Sequence, residues 1–164
     1  MRPRPVYCIE MRALRPLLMI VLLLLAGRAV HAEAIAPEEA RVRVEHHLRY
    51  VDDLLSHFQT MLAESCRRFP TSAAWDTYVN AETDRLVLLM AHLEQAWVEA
   101  KRTGDDDVRR TAKAPRRQSD QLRQLVDKLT TCAEANGASF APATIWRRIE
   151  REVPRRQAEI ALPQ

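Results

Sequence analysis

From Val44 onward, apolar residues recur at intervals of three and four: Val44, Leu48, Val51, Leu55, Phe58, Leu62, Cys66 and Phe69. This spacing lays a single apolar stripe along an α-helix and leaves its other faces to water. Sustained for about seven turns, it commits this part of the chain to a long helix that must bury its stripe against partners. Pro37, Glu38 and Glu39 suit the first turn, where proline loses no hydrogen bond and carboxylates meet the positive end of the helix dipole. Pro70 stops the helix.

The pattern then repeats. Thr71 or Ser72 caps a second helix whose stripe is Trp75, Val79, Leu86, Leu89 or Met90, Leu93 and Trp97, closed by Gly104 after Lys101 and Arg102. Asp105, Asp106 and Asp107 mark a third start. The stretch Val108 to Asp120 is poor in core residues and carries Pro115, which predicts a kink or a late start there. Leu122, Leu125, Val126, Leu129, Cys132 and Ala133 then form a firm stripe up to Gly137. Pro142 opens a shorter fourth helix with Ile145, Trp146, Ile149 and Val153, which Pro154 is expected to disrupt. No run shows the two-residue alternation of a strand. Short connections between long amphipathic helices predict an all-α fold, an up-down antiparallel bundle of three long helices plus a shorter fourth.

Residues 1–32 read as a signal peptide. Arg12 and Arg15 precede the apolar run Leu17 to Ala26, and a small-residue cleavage site follows at Val30-His31-Ala32. About ten apolar residues fall well short of the roughly 20 that span a bilayer, so cleavage leaves no transmembrane anchor. Met11 is as good a start as Met1, since a compact signal begins there. Cleavage after Ala32 leaves 132 residues, 33–164, as a single helical-bundle domain with a loose C-terminal tail. The expected address is the periplasm or the exterior.

Removing the leader changes the electrostatics. The whole chain carries 25 basic and 22 acidic residues, but 33–164 carries 20 and 21. The basic character therefore belongs to the leader and does not mark a nucleic-acid surface. Only Gly104 and Gly137 remain, so there is no glycine loop for phosphate and no G-x-S-x-G elbow. No nucleophile stands at a meaningful spacing from a base, and no catalytic residue is assigned.

Cys8 leaves with the signal, and Cys66 and Cys132 remain in a chain bound for an oxidising compartment. Cys66 lies about 26 residues above the start of the first helix and Cys132 about 25 above the start of the third. These two helices run the same way in an up-down-up arrangement. At roughly 1.5 Å per residue both sulfurs end about 38 Å up, at one end. A disulfide is expected, with two free buried thiols as the alternative.

His46, Tyr50, Asp53 and His57 share one helical face, and His46, Asp53 and His57 are the candidate ligands for a divalent metal. That face is rotated by roughly 200° from the Val44 stripe and points to water, so a solvated polar face is the competing account. His47 and His92 flank apolar stripes and can meet across the first helix pair. Residues 33–100 carry net charge −6 and residues 101–164 net +5, so the halves attract as packed helices. Alternatively Arg109, Arg110, Lys113, Arg116, Arg117, Arg147, Arg148, Arg151, Arg155 and Arg156, with Trp146 nearby, form a basic strip for an acidic protein partner or an anionic membrane surface.

Phe69-Pro70, Trp75, the segment Ala100 to Asp105 (AKRTGD) and Leu129 to Cys132 (LTTC) fall in an order that resembles the cytochrome c-prime family of periplasmic four-helix bundles, over residues 69–140. The resemblance implies a bundle and a periplasmic address. The family's C-x-x-C-H is not intact: Ala135 and Asn136 stand where its second cysteine and axial histidine belong. What is implied is a haem-less relative.

The expected function is a secreted, disulfide-stapled bundle that binds a protein partner in the cell envelope or serves structurally, without catalysis and with no cofactor. Two alternatives remain. One is a haem or divalent-metal carrier using His47 or His92 with Met61 or Met90. The other is a periplasmic chaperone or adaptor with an apolar groove beside the basic strip.

Overall fold

The structure, a computed structural model, describes residues 34–115 and 119–160, with only the backbone for 119–121. The expected signal peptide, Arg116, Arg117 and the last four residues lie outside the described residues. Contacts divide the chain between Ala34 and Ile35, and the unit beginning at Ile35 is the subject below.

Among the described residues all regular structure is helical: α1 Pro37–Ala63, α2 Ser72–Lys101, α3 Asp106–Lys113, α4 Ser119–Ala135 and α5 Pro142–Glu159. The helix ends follow from local chemistry. Pro37 opens α1, and Glu38 and Glu39 occupy its first turn. The Thr71 hydroxyl accepts the Ala74 N–H at 3.1 Å and so caps α2. The Asp105 carboxylate accepts the N–H groups of Asp107 and Val108 at 2.8 and 3.0 Å, which starts α3 and holds that carboxyl below its ordinary range. Gly137 adopts φ +63°. This lets the Gly137 N–H reach the Glu134 carbonyl and the Ala138 N–H reach that of Ala133, the paired bonds of a Schellman close.

Two boundaries differ from the periodicity. The stripe predicts a first helix running to Phe69, but α1 ends at Ala63. Glu64 turns to extended backbone, and Cys66 and Phe69 reach the interior from the link 64–71. Their contacts to α4 and to Trp75 substitute for the last two turns of helix. Pro154 predicts a disruption of the last helix, yet α5 continues through it to Glu159. The missing N–H falls on an exposed position, and pairs of Arg155 and Arg156 with Glu159 hold the turns beyond it.

α2 is the central element, packed along both α1 and α5. Pairs between α1 and α2 fall as one chain number rises and the other drops: Ile35 with Arg102, Arg43 with Glu99, His47 with His92 and His57 with Glu82. Those two helices are therefore antiparallel. Between α2 and α5 the pairs rise together, Asp84 with Arg148 and Gln95 with Gln157, so these run in the same direction. The core has three parts. The central one joins Val51, Leu55, Phe58, Leu86, Leu89, Leu125 and Ile149. At the Ile35 end, Ala40, Val44, Ala96, Ala100, Val108 and Ala112 form a small-residue seam, which is how α3 packs despite its meagre apolar content. At the other end Trp75, Leu129, Cys132 and Ala133 pack with Phe69 and Tyr78. No helix among the described residues is long and apolar enough to cross a membrane.

Candidate functional site: a cleft beside the disulfide

The Sγ atoms of Cys66 and Cys132 lie 2.07 Å apart, at disulfide distance, and join the link to α4. Two polar contacts reinforce this junction. The Asn136 side-chain amide accepts the Phe69 N–H at 2.9 Å and donates to the Arg67 carbonyl at 3.0 Å. Lys128 Nζ donates to the Glu64 carbonyl at 2.6 Å. The link is thus pinned at four of its residues.

Between the end of α1, the link, α2 and α4 lies a cleft of about 410 Å³, within the size range of small-molecule sites. Trp75, Phe69, Leu129, Met61 and the disulfide form its apolar floor. On one wall Glu82, only 4% exposed at its side chain, accepts from His57 Nε2 and from Arg85, each at 2.7 Å. Both carboxylate oxygens are therefore engaged, as a buried charge requires. Arg67, Lys128 and Tyr78 complete the rim. Burial first, and the Glu82 charge second, raise the Tyr78 phenol above its ordinary range. The phenol stays protonated at neutral pH and is available as a donor.

The candidate metal ligands are not brought together. His57 bonds Glu82 while its side chain stays 40% exposed, Asp53 is exposed, and His46 makes ring contacts with His47 and Tyr50. Among the described residues no three or more His, Cys, Asp or Glu side chains form a metal-holding group.

His47 and His92 do meet across α1 and α2. Their Nδ1 atoms are 3.0 Å apart, and Tyr50 stacks on His92 with ring centroids 4.5 Å apart. One ring donates and the other accepts, which requires at least one to be neutral. Burial is the main cause that lowers both to about 4; the His92 ring and then His46 add to it at His47, and His46 adds to it at His92. His47 Nε2 is buried with no hydrogen-bond partner among the described residues. Met61 and Met90 both pack on the central core.

Cys132, which the family resemblance would make a haem thioether, is joined to Cys66, and Asn136 at the axial position holds the link backbone. These residues do not fit a covalently attached haem.

The basic strip is largely paired within the chain. Arg109 pairs with Asp106, Arg110 with Asp107, Arg151 with Glu152, and Arg155 and Arg156 with Glu159. Arg148 bridges α5 to Asp84 and Asn80 of α2, a direct contact between the basic and acidic halves. Lys113 and Arg147 are exposed, and Trp146 is half-buried against the central core. Periodicity had not singled out Glu82, Glu99, Tyr78, Arg85 or Asn136. A signal for Glu82 exists: the α2 stripe steps from Val79 to Leu86, and the buried positions between them are Glu82 and Thr83.

No protein-family model, no curated protein and no solved structure matches the chain.

Proposed function

We propose that the mature chain is an exported, disulfide-stapled up-down bundle that works by binding a protein partner in the cell envelope, or as a structural part there, and not by catalysis. The observation that supports this reading is where the interior polar groups go. Glu82 of α2 bonds His57 of α1, Glu99 of α2 pairs with Arg43 of α1, His47 meets His92, and Asn136 holds the link. Each ties the frame together. A frame fastened at so many internal points holds its outer faces in place, which lowers the ordering cost of docking.

The outer face that suits a partner is a shallow groove of about 580 Å³ between α4 and α5, where Met90, Val126 and Trp146 lie beside Arg123. An aromatic anchor with an arginine rim is the composition of many binding hot spots. The test is a photo-crosslinker placed at Arg147 in the chain expressed with its own leader. The expected result is a discrete crosslinked protein in the exported fraction, and a product that begins at Glu33 and is lighter than the dithiol by two hydrogens. A product that stays inside with its leader intact would overturn the address. Turnover of a small substrate by the purified protein would overturn the non-catalytic role.

A further inference from the structure

We infer that the cleft beside the disulfide binds a monoanionic organic acid: a single carboxylate on an apolar body small enough for about 410 Å³. This rests on reading the chain as a binding protein, but it concerns a different surface from the partner groove. The donors converge on this cleft. Arg67 is exposed, carries no ion pair among the described residues, and has its backbone carbonyl pinned by Asn136. The Tyr78 hydroxyl has no hydrogen-bond partner among the described residues, and Arg85 uses one guanidinium nitrogen on Glu82. Against them, both Glu82 oxygens are already occupied, which leaves Glu64 as the one acidic lining residue with an unengaged carboxylate.

A donor-rich rim above Trp75, Phe69, Leu129 and Met61 matches a ligand that is anionic at one end and apolar at the other. Glu64 sets the charge. One negative group satisfies Arg67 and Tyr78, whereas a doubly charged phosphate would also face the Glu64 carboxylate at the same rim. The acid can be a free small molecule or the carboxyl end of a polypeptide with an apolar last residue.

The test is calorimetric titration of the oxidised, purified chain with 4-phenylbutyrate, with its neutral amide, and with a short peptide ending in a free phenylalanine carboxylate. Saturable one-site binding of the acid or the peptide is expected, and the tighter of the two assigns the source. The amide should bind at least about tenfold more weakly, as loss of a charge-assisted hydrogen bond implies. Arg67→Glu should weaken the acid by a similar factor, and added salt should weaken wild-type binding. Tyr78→Phe, which keeps the ring, should give a smaller loss. An equal affinity for the amide, an Arg67→Glu variant that binds normally, or no binding by either carboxylate would overturn the assignment. Failure here leaves crosslinking at Arg147 unaffected, so the two readings fail separately.

Discussion

The Asn136 side chain accepts the backbone N–H of Phe69 at 2.9 Å, across 67 residues of sequence and within one turn of the cysteine that tethers the same link. It acts on the folded state, whereas the disulfide acts mainly on the unfolded one.

Those two effects separate experimentally. Replacing both Cys66 and Cys132 by serine should lower stability by about 4 kcal/mol, the chain-entropy value for a loop of this size. The Phe69 amide should nevertheless stay protected from exchange, because Asn136 still holds it. Asn136→Ala should cost about 1–3 kcal/mol by leaving the Phe69 N–H and the Arg67 carbonyl without partners, and should speed Phe69 exchange with the disulfide intact. Denaturant titration and amide exchange read the two quantities.

Acid should weaken the fold through His47 and His92. Both are neutral when folded, with values lowered to about 4, while the unfolded chain protonates at the ordinary 6.5. The unfolded state therefore binds more protons between these values, so stability falls as pH drops from about 6.5 to about 4 and levels off below that. Each histidine contributes at most about 1.4 kcal/mol per pH unit in that window, a few kcal/mol in all. Urea midpoints measured across the window should show this slope, and a paired His47→Leu, His92→Leu variant should flatten it.

Glu99 is 2% exposed and bonded to Arg102 at 3.0 Å and Gln95 at 2.7 Å, with Arg43 at 3.6 Å. Removing the cations should therefore cost more than removing the charge. Arg43→Leu with Arg102→Leu should destabilise by about 3–5 kcal/mol, because a buried carboxylate loses its counter-ions. Glu99→Gln keeps the shape and should cost about 1–2 kcal/mol. Equal losses in urea denaturation would remove the distinction.

Pro154 sits inside α5 at an exposed position. Pro154→Ala restores an N–H to the helix ladder and should raise stability by about 1–3 kcal/mol. A differential melt of the two proteins is sufficient to check it.

Much of the frame can be read from residue order. Thr71, Asp105, Gly137 and Pro142 announce their helix ends through chemistry that acts within a few residues, and the two cysteines that follow the expected leader point to the Cys66–Cys132 pair. The end of α1 is illegible because Cys66 and Phe69 continue the three-four spacing while standing on extended backbone. Spacing reports which residues seek the interior, not the conformation that carries them there. Glu82 and Glu99 hide for a related reason. A charged residue at a stripe position reads as an interruption until the cation that neutralises it, from another turn or another helix, is in view. His57 looks solvent-facing from its angle on α1 alone, and only the approach of α2 gives it Glu82. The cleft inherits this obscurity, since three separate stretches of chain build it.

The bond between Cys66 and Cys132 closes a covalent ring around all of α2 and α3 and most of α4, with α1 and α5 outside it. A polypeptide is made from its amino end, so the first sulfur must wait through two complete helices before its mate emerges. Oxidation can lock the molecule only once α4 is nearly finished, before α5 has been made. The tether is therefore late in the order of synthesis, since it can close only after α2 and α3 have been made.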